Sequence, residues 1–216
     1  MESRNYALEY DKSYTRYDLI VNLFQLGMDT KHRSKALRFA GLKEGDTVLD
    51  LCCGSGLSFK ATQEIIGKKG KIIAVDANGY MLQLAKNRAR KNGWDNISFI
   101  ECPIEDLKLD IKIDFAFFAL CWYDKDLSRK WIDKVSEFMD KETGRFCFFD
   151  YKMPDNWLRP FIKPILWLEI KWLGEAYTVN DLDWKPKELI GNMLRDARFT
   201  AYYFDCMFAV AGKPLL

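Results

Sequence analysis

Histidine is all but missing: His32 is the only one in 216 residues. That count excludes a zinc site built on imidazoles. The cysteines offer no substitute. They stand at 52, 53, 102, 121, 147 and 206, without the Cys-x-x-Cys spacing of a metal or redox site. Most lie inside apolar runs, where a free thiol behaves as a small hydrophobe. His32 itself sits in "TKHRSK", which reads as an exposed helix start. An excess of one charge is lacking too. The net charge is +2, so bulk charge points to no nucleic-acid partner. The start "MESRNYALEYDK" lacks the apolar core of a secretory signal. No uninterrupted apolar stretch is long enough to span a bilayer. The location these absences predict is the cytoplasm. Internal repeats and low-complexity linkers are missing as well.

What is present is an alternation. The length favours one domain over 1–216 with a sizeable core. Residues 1–40 read as a helical cap that ends at Gly41. "GDTVLDL" is a short apolar strand, and "SFKATQEIIG" a helix that stops at Gly67. "GKKGKIIAVD" is a turn and a second strand. "NGYMLQLAKNRARKNGW" puts Met81, Leu82 and Ala85 on one face, with a basic last turn that suits the helix dipole. "NISFIEC" is a third strand. "IDFAFFALCWY" is continuously apolar, as a strand covered on both faces should be. "LSRKWIDKVSEFMD" is an amphipathic helix and "GRFCFFDY" a fifth strand. "KELIGNMLRDARF" reads as a helix, and "TAYYFDCMFAVAGK" as two short strands joined near Asp205. Strands alternating with helices predict a mostly parallel sheet covered on both faces, closed by a C-terminal antiparallel pair.

The stretch "VLDLCCGSGLS", residues 48–58, carries the chemistry. Strand, glycine loop, then helix is the layout of nucleotide-binding folds. A triphosphate loop needs G-x-x-x-x-G-K-[ST], and no lysine follows Gly56 in that way. A dinucleotide loop needs a third glycine at 59, where Phe59 stands. The pattern is instead Asp50-x-Cys52-x-Gly54-x-Gly56. It resembles motif I of class I S-adenosylmethionine-dependent methyltransferases, with Cys52 in place of the first glycine. "DLCCGSG" is similar to the version in the ubiquinone/menaquinone-biosynthesis C-methyltransferases.

That resemblance implies a Rossmann-like seven-stranded α/β fold and S-adenosyl-L-methionine as cofactor. It implies that Asp50 helps fix the methionine ammonium, and that Cys52, Gly54 and Gly56 let the cofactor lie against bare backbone. Asp76, at the end of "IIAVDAN", would accept both ribose hydroxyls, with Ala77 leaving room for the sugar and Met81 beside the adenine. In "FIECPIEDL", Cys102 and Pro103 replace the family's Gly-Asp, and Ile104 stands for its alanine, so Pro103 and Ile104 would meet the ring edge. Ala119 and Leu120, ending the fourth strand, would face the methyl group. Tyr17, with Asp18, Asn22 and Gly27, matches the segment that covers the cofactor in these enzymes.

A sulfonium methyl is already activated, so alignment and exclusion of water dominate the chemistry. If a proton must be removed, Asp124 and Asp150 lie near carboxyl ends of strands, with Tyr123 as an orienting hydroxyl. The acceptor expected is small and hydrophobic: a quinone precursor, a lipid or a similar metabolite. Residues 152–184 form an apolar insertion with Trp157, Trp167, Trp172 and Trp184, four of the seven tryptophans. A core-packed helix, a lid over an apolar substrate and peripheral membrane contact through 157–173 are its three readings. Pro160 and Pro164 are expected to break the start of any helix there. After the fourth strand the chain has "LCWYDKD" where quinone-pathway enzymes carry an "LRN"-like run. The competing functions are a protein or nucleic-acid methyltransferase and a cofactor-binding protein without turnover. The N/D-P-P-Y/F run of base amino-group methylation is absent. Oligomeric state is left open.

Overall fold

The computed structural model describes residues 14–121, 125–173, 182–183 and 185–215. Two helices come first, α1 (Tyr14–Phe24) and α2 (Asp29–Phe39). There follow β1 (Thr47–Leu51), α3 (Phe59–Ile66), β2 (Lys71–Asp76), α4 (Gly79–Asn92), β3 (Ile97–Glu101) and β4 (Phe115–Ala119). The second half holds α5 (Lys125–Ser136), β5 (Arg145–Tyr151), α6 (Arg159–Leu173), α7 (Pro186–Leu189), β6 (Arg195–Tyr202) and β7 (Met207–Lys213).

The seven strands form one sheet in the order β3-β2-β1-β4-β5-β7-β6. The first five in sequence pair in parallel, and β7 pairs antiparallel with both β5 and β6. This is the expected fold. Strand order reverses between β1 and β4, which opens a crevice at their carboxyl ends. All five residues of β4 are buried. Its alternation sends Phe115 and Phe117 into one core layer and Ala116 and Phe118 into the other.

Local signals explain the helices that aim at the crevice. Asn78 caps α4 by accepting the Met81 N–H at 3.1 Å, and Gly93 closes it in the left-handed region at φ 68°. All six cysteines are free thiols, four of them buried, as the apolar runs suggested.

Three expectations need correction. "KELIGNMLRDARF" is not one helix: α7 is a single turn, a 3-10 turn covers Gly191–Met193, and β6 already begins at Arg195. The antiparallel ladder to β7 outweighs the helical spacing, with an irregularity between Arg195 and Arg198. α6 is not broken by its prolines. Pro160 lies in its first turn, where no N–H is needed, and the helix runs on through Pro164. His32 is not exposed. It is buried, its ring stacked 5.8 Å from Tyr202 and tilted 4.6 Å from Tyr203.

Candidate active site

The crevice is floored by the loop that leaves β1. Cys52, at φ 52°, holds the left-handed backbone that glycine adopts freely, as do Gly54 at 53° and Gly56 at 78°. A side chain on Gly56 would run into the Phe59 ring, and one on Gly54 would meet Met81 Cε at 3.3 Å. The loop is thus tight around Gly54 and Gly56. Cys53 points into the core, as expected.

Two carboxylates meet this loop. Asp76 spans it: Oδ2 accepts the Gly54 N–H and Oδ1 the Asn78 N–H, each at 2.8 Å. Burial raises the Asp76 carboxyl, and these two N–H groups oppose the rise. Asp50 is 1% exposed, and neither of its oxygens has a hydrogen-bond partner among the described residues. Burial raises it to about 7; the nearby Arg33 guanidinium pulls it down and Asp76 pushes it up. Arg33 is itself buried. Its Nε donates to both oxygens of Asp29 at 2.9 Å and its Nη1 to Ser58 Oγ at 2.8 Å.

α1 lies across the loop. Ser55 Oγ donates to Asp18 at 2.6 Å, and Arg88 of α4 pairs with the other Asp18 oxygen. Ile20 and Val21 pack on Leu57 and Leu120. Leu120 is a second side-chain-bearing residue in the left-handed region, at φ 53°, where its N–H reaches the Phe149 carbonyl at 2.8 Å. Backbone strain of this kind gathers at sites that bind or react.

The remaining sequence-predicted residues fall around this floor. Met81 is buried, and Ala77 and Pro103 are exposed. The Ile104 side chain turns into the core beside Leu107, which leaves only its backbone facing outward. Ala119 is buried at the end of β4. Asp150 is buried, and one oxygen accepts the Tyr151 N–H at 2.7 Å. Tyr17 lies on α1, and its side chain is outside the described residues, as are Tyr123, Asp124 and Trp184. Asp18 entered the sequence reading only as a pattern match, and Ser55 and Arg88 carried no signal. The one acid on α1 was the available clue. Among the described residues no cluster of His, Cys, Asp and Glu could hold a metal.

The sequence profile of the ubiE/COQ5 methyltransferase family matches residues 3–119, a span holding α1, the glycine loop, Asp76 and β4. The chain belongs to this family. One ubiE/COQ5 relative, the ubiquinone/menaquinone biosynthesis C-methyltransferase UbiE of Hahella chejuensis, is 27% identical over 156 residues, covering 69% of this chain and 61% of its own. The demethylmenaquinone methyltransferase of Bacillus subtilis is 28% identical over 182 residues, covering 77% of this chain and 78% of its own. The chain spans 43–47% of the length of three further relatives. A solved structure, a SAM-dependent methyltransferase from Aquifex aeolicus, superposes with a TM-score of 0.59 at 20% identity, covering 92% of this chain and 98% of its own. That likeness confirms the fold of this ubiE/COQ5 member.

Proposed function

We propose that this chain transfers a methyl group from S-adenosyl-L-methionine to a small, apolar, quinone-type acceptor. One observation carries the reading: a loop with glycine at 54 and 56 lies between a carboxylate with unused lone pairs and a buried carboxylate with no partner among the described residues. The residues fit the cofactor. Its methionine ammonium is the cation that the orphaned Asp50 lacks, and Asp76 keeps a lone pair on each oxygen for ribose hydroxyls. Cys52, Gly54 and Gly56 would give the tail close approach. Ala77, Met81, Pro103 and the Ile104 backbone would border the adenine, and Ala119 and Leu120 the methyl end. Tyr17 and Asp18 on α1 would cover it.

Bound there, the cofactor supplies a methyl group made electrophilic by its sulfonium. The chain's own work is to align the acceptor and exclude water. The packing of Ile20 and Val21 on Leu120 supports α1 in that second role. Asp150 would take a proton from the acceptor, with Asp124 and Tyr123 on the segment after β4 as alternatives or orienting groups. Residues 1–40 would act as a cap, and 152–184 as an insertion over the acceptor. The relatives named for demethylmenaquinone and 2-phytyl-1,4-naphtoquinone support the quinone-type acceptor.

We propose also that 157–173 touches a membrane surface. α6 turns its one acid, Glu169, inward and shows Phe161, Trp167 and Trp172 outward with Lys163 and Lys171, and Trp157, just before the helix, is 76% exposed. Lys171 lies 4.9 Å over the Trp167 ring, a tryptophan–lysine pairing suited to head groups. On the neighbouring α1, Leu19, Leu23 and Leu26 are exposed as well. No helix among the described residues is long and apolar enough to cross a membrane.

Calorimetric titration with S-adenosylhomocysteine tests the main reading. Binding that disappears in Asp76→Ala is the expected result; a wild-type protein that does not bind overturns it.

A further inference from the structure

A group of buried polar side chains lies one turn along α1 from the glycine loop and takes no part in it. Val21 packs toward Leu57 and Leu120. Gln25 follows it by four residues, its N–H on the Val21 carbonyl at 3.0 Å. Its side chain therefore lies on the same stripe of the helix, about 5.4 Å further along. It is wholly buried, and neither its amide oxygen nor its nitrogen has a partner among the described residues. The hydroxyl of Tyr151, the last residue of β5, bonds Glu169 of α6 at 3.0 Å and lies within reach of the Gln25 amide as well. His32 closes the group from α2. Both of its ring nitrogens lack partners among the described residues, and its ring is held against Tyr202 and Tyr203. The Tyr203 hydroxyl donates to the Phe24 carbonyl at 2.9 Å, next to Gln25 in the chain.

A native core seldom keeps a primary amide and an imidazole unpaired, because both lose their water on burial. Tyr203 joins the two: its ring lies 4.6 Å from that of His32, and its hydroxyl reaches the carbonyl of Phe24, the residue before Gln25. Val21, one turn before Gln25, packs with Leu120, so an acceptor that meets the methyl group at Leu120 would come within reach of this pair. Burial holds the imidazole below its ordinary range, with Lys35 adding to the lowering and Asp29 opposing it, so the ring is neutral and one nitrogen can accept.

We propose that Gln25 and His32 bind the oxygen substituents of an aromatic acceptor. The Gln25 amide donates to one ring oxygen, and the neutral His32 ring accepts from a ring hydroxyl. This rests on the methyl-transfer reading and names the part of the acceptor that these residues read. The Tyr151–Glu169 pair, already bonded, forms the wall that holds Gln25 in place.

Equilibrium dialysis under argon, with S-adenosylhomocysteine present, tests it with two probes of the same ring shape: 1,4-dihydroxynaphthalene and naphthalene. The wild type should prefer the dihydroxy probe by about a hundredfold, about tenfold for the hydrogen bond to each oxygen. Gln25→Leu and His32→Leu should each cut that preference by about tenfold. Naphthalene and S-adenosylhomocysteine should bind these variants as before, which shows that the fold survives. A wild type that binds S-adenosylhomocysteine yet shows no preference overturns the proposal, with no need of the variants. So does a preference that both variants retain. Failure to bind S-adenosylhomocysteine at all instead removes the methyl-transfer reading on which the proposal stands.

Discussion

The Asp76 carboxylate accepts the backbone N–H of Gly54 at 2.8 Å, joining two loops that are 22 residues apart in the chain. One side chain thus sets the spacing between the ends of β1 and β2. Asp76→Ala removes this bond and the one to Asn78, leaving two N–H groups short of partners. The expected cost is about 1–3 kcal/mol of stability. Asp76→Asn, which keeps one carbonyl oxygen, should fall between the two. Chemical denaturation checks the order, and equal stability for all three proteins would contradict it.

The Asp50 carboxyl is raised from 3.8 to about 7 on folding. The folded protein therefore binds this proton more tightly than the unfolded chain. Below about pH 4 both forms hold it and Asp50 contributes no pH dependence. As pH rises from there towards 7 Asp50 ionises in the unfolded chain while the folded protein keeps its proton, so its contribution lowers stability, by a few kcal/mol at most. Asp50→Asn should match the wild type near pH 4 and exceed it at pH 8. Ligand binding provides a second check: S-adenosylhomocysteine brings an ammonium and should expel a proton near pH 6.5. Titrations in buffers of different ionisation enthalpy measure that release.

Cys52 occupies a backbone conformation that costs a side-chain-bearing residue about 1–2 kcal/mol. Cys52→Gly should be neutral or stabilising by about 1 kcal/mol, with ligand affinity kept. Cys52→Val, branched at Cβ, should destabilise by more than about 1 kcal/mol. Thermal melts of the three proteins decide. A glycine variant less stable than the valine one would show that the thiol's packing outweighs the strain.

Asp18 holds α1 to both Ser55 and Arg88. Arg88→Ala loosens one of these ties at a partly exposed site. Global stability should change by less than about 1 kcal/mol, as is usual for such pairs. The off-rate of S-adenosylhomocysteine should nevertheless rise several-fold in stopped-flow measurements. An unchanged off-rate with normal binding would mean that α1 does not gate release.

The membrane proposal predicts that liposomes containing anionic lipid sediment the protein and blue-shift its tryptophan emission. Trp157→Ser with Trp167→Ser should abolish both effects and leave S-adenosylhomocysteine binding unchanged. Wild-type protein that stays in the supernatant with both neutral and anionic vesicles would count against it.

The sheet was legible in the sequence because each strand carries its own hydrophobic run and each βα turn its glycine or cap. "FAFFA", with its phenylalanines and no polar residue, reads as a strand buried on both sides, and β4 is one. The glycine loop and Asp76 were legible for a similar reason, since their signals are local. His32 was misread because its burial comes from Tyr202 and Tyr203, about 170 residues away, and nothing in "TKHRSK" encodes them. Gln25, Ser55 and Arg88 stayed hidden for the same reason. The segment 186–202 misled because its helical spacing competes with an edge strand whose partner comes later in the chain.

That partner has a bearing on how the protein is made. β7 is the last strand in sequence, yet it is wedged between β5 and β6. A growing chain on the ribosome presents β5 with a bare hydrogen-bonding edge, and β6 with nothing to lean on, until residues 207–213 emerge. Assembly of this half of the molecule must therefore wait for β7 to emerge, and a chain stalled before Met207 would be a target for chaperones or proteases.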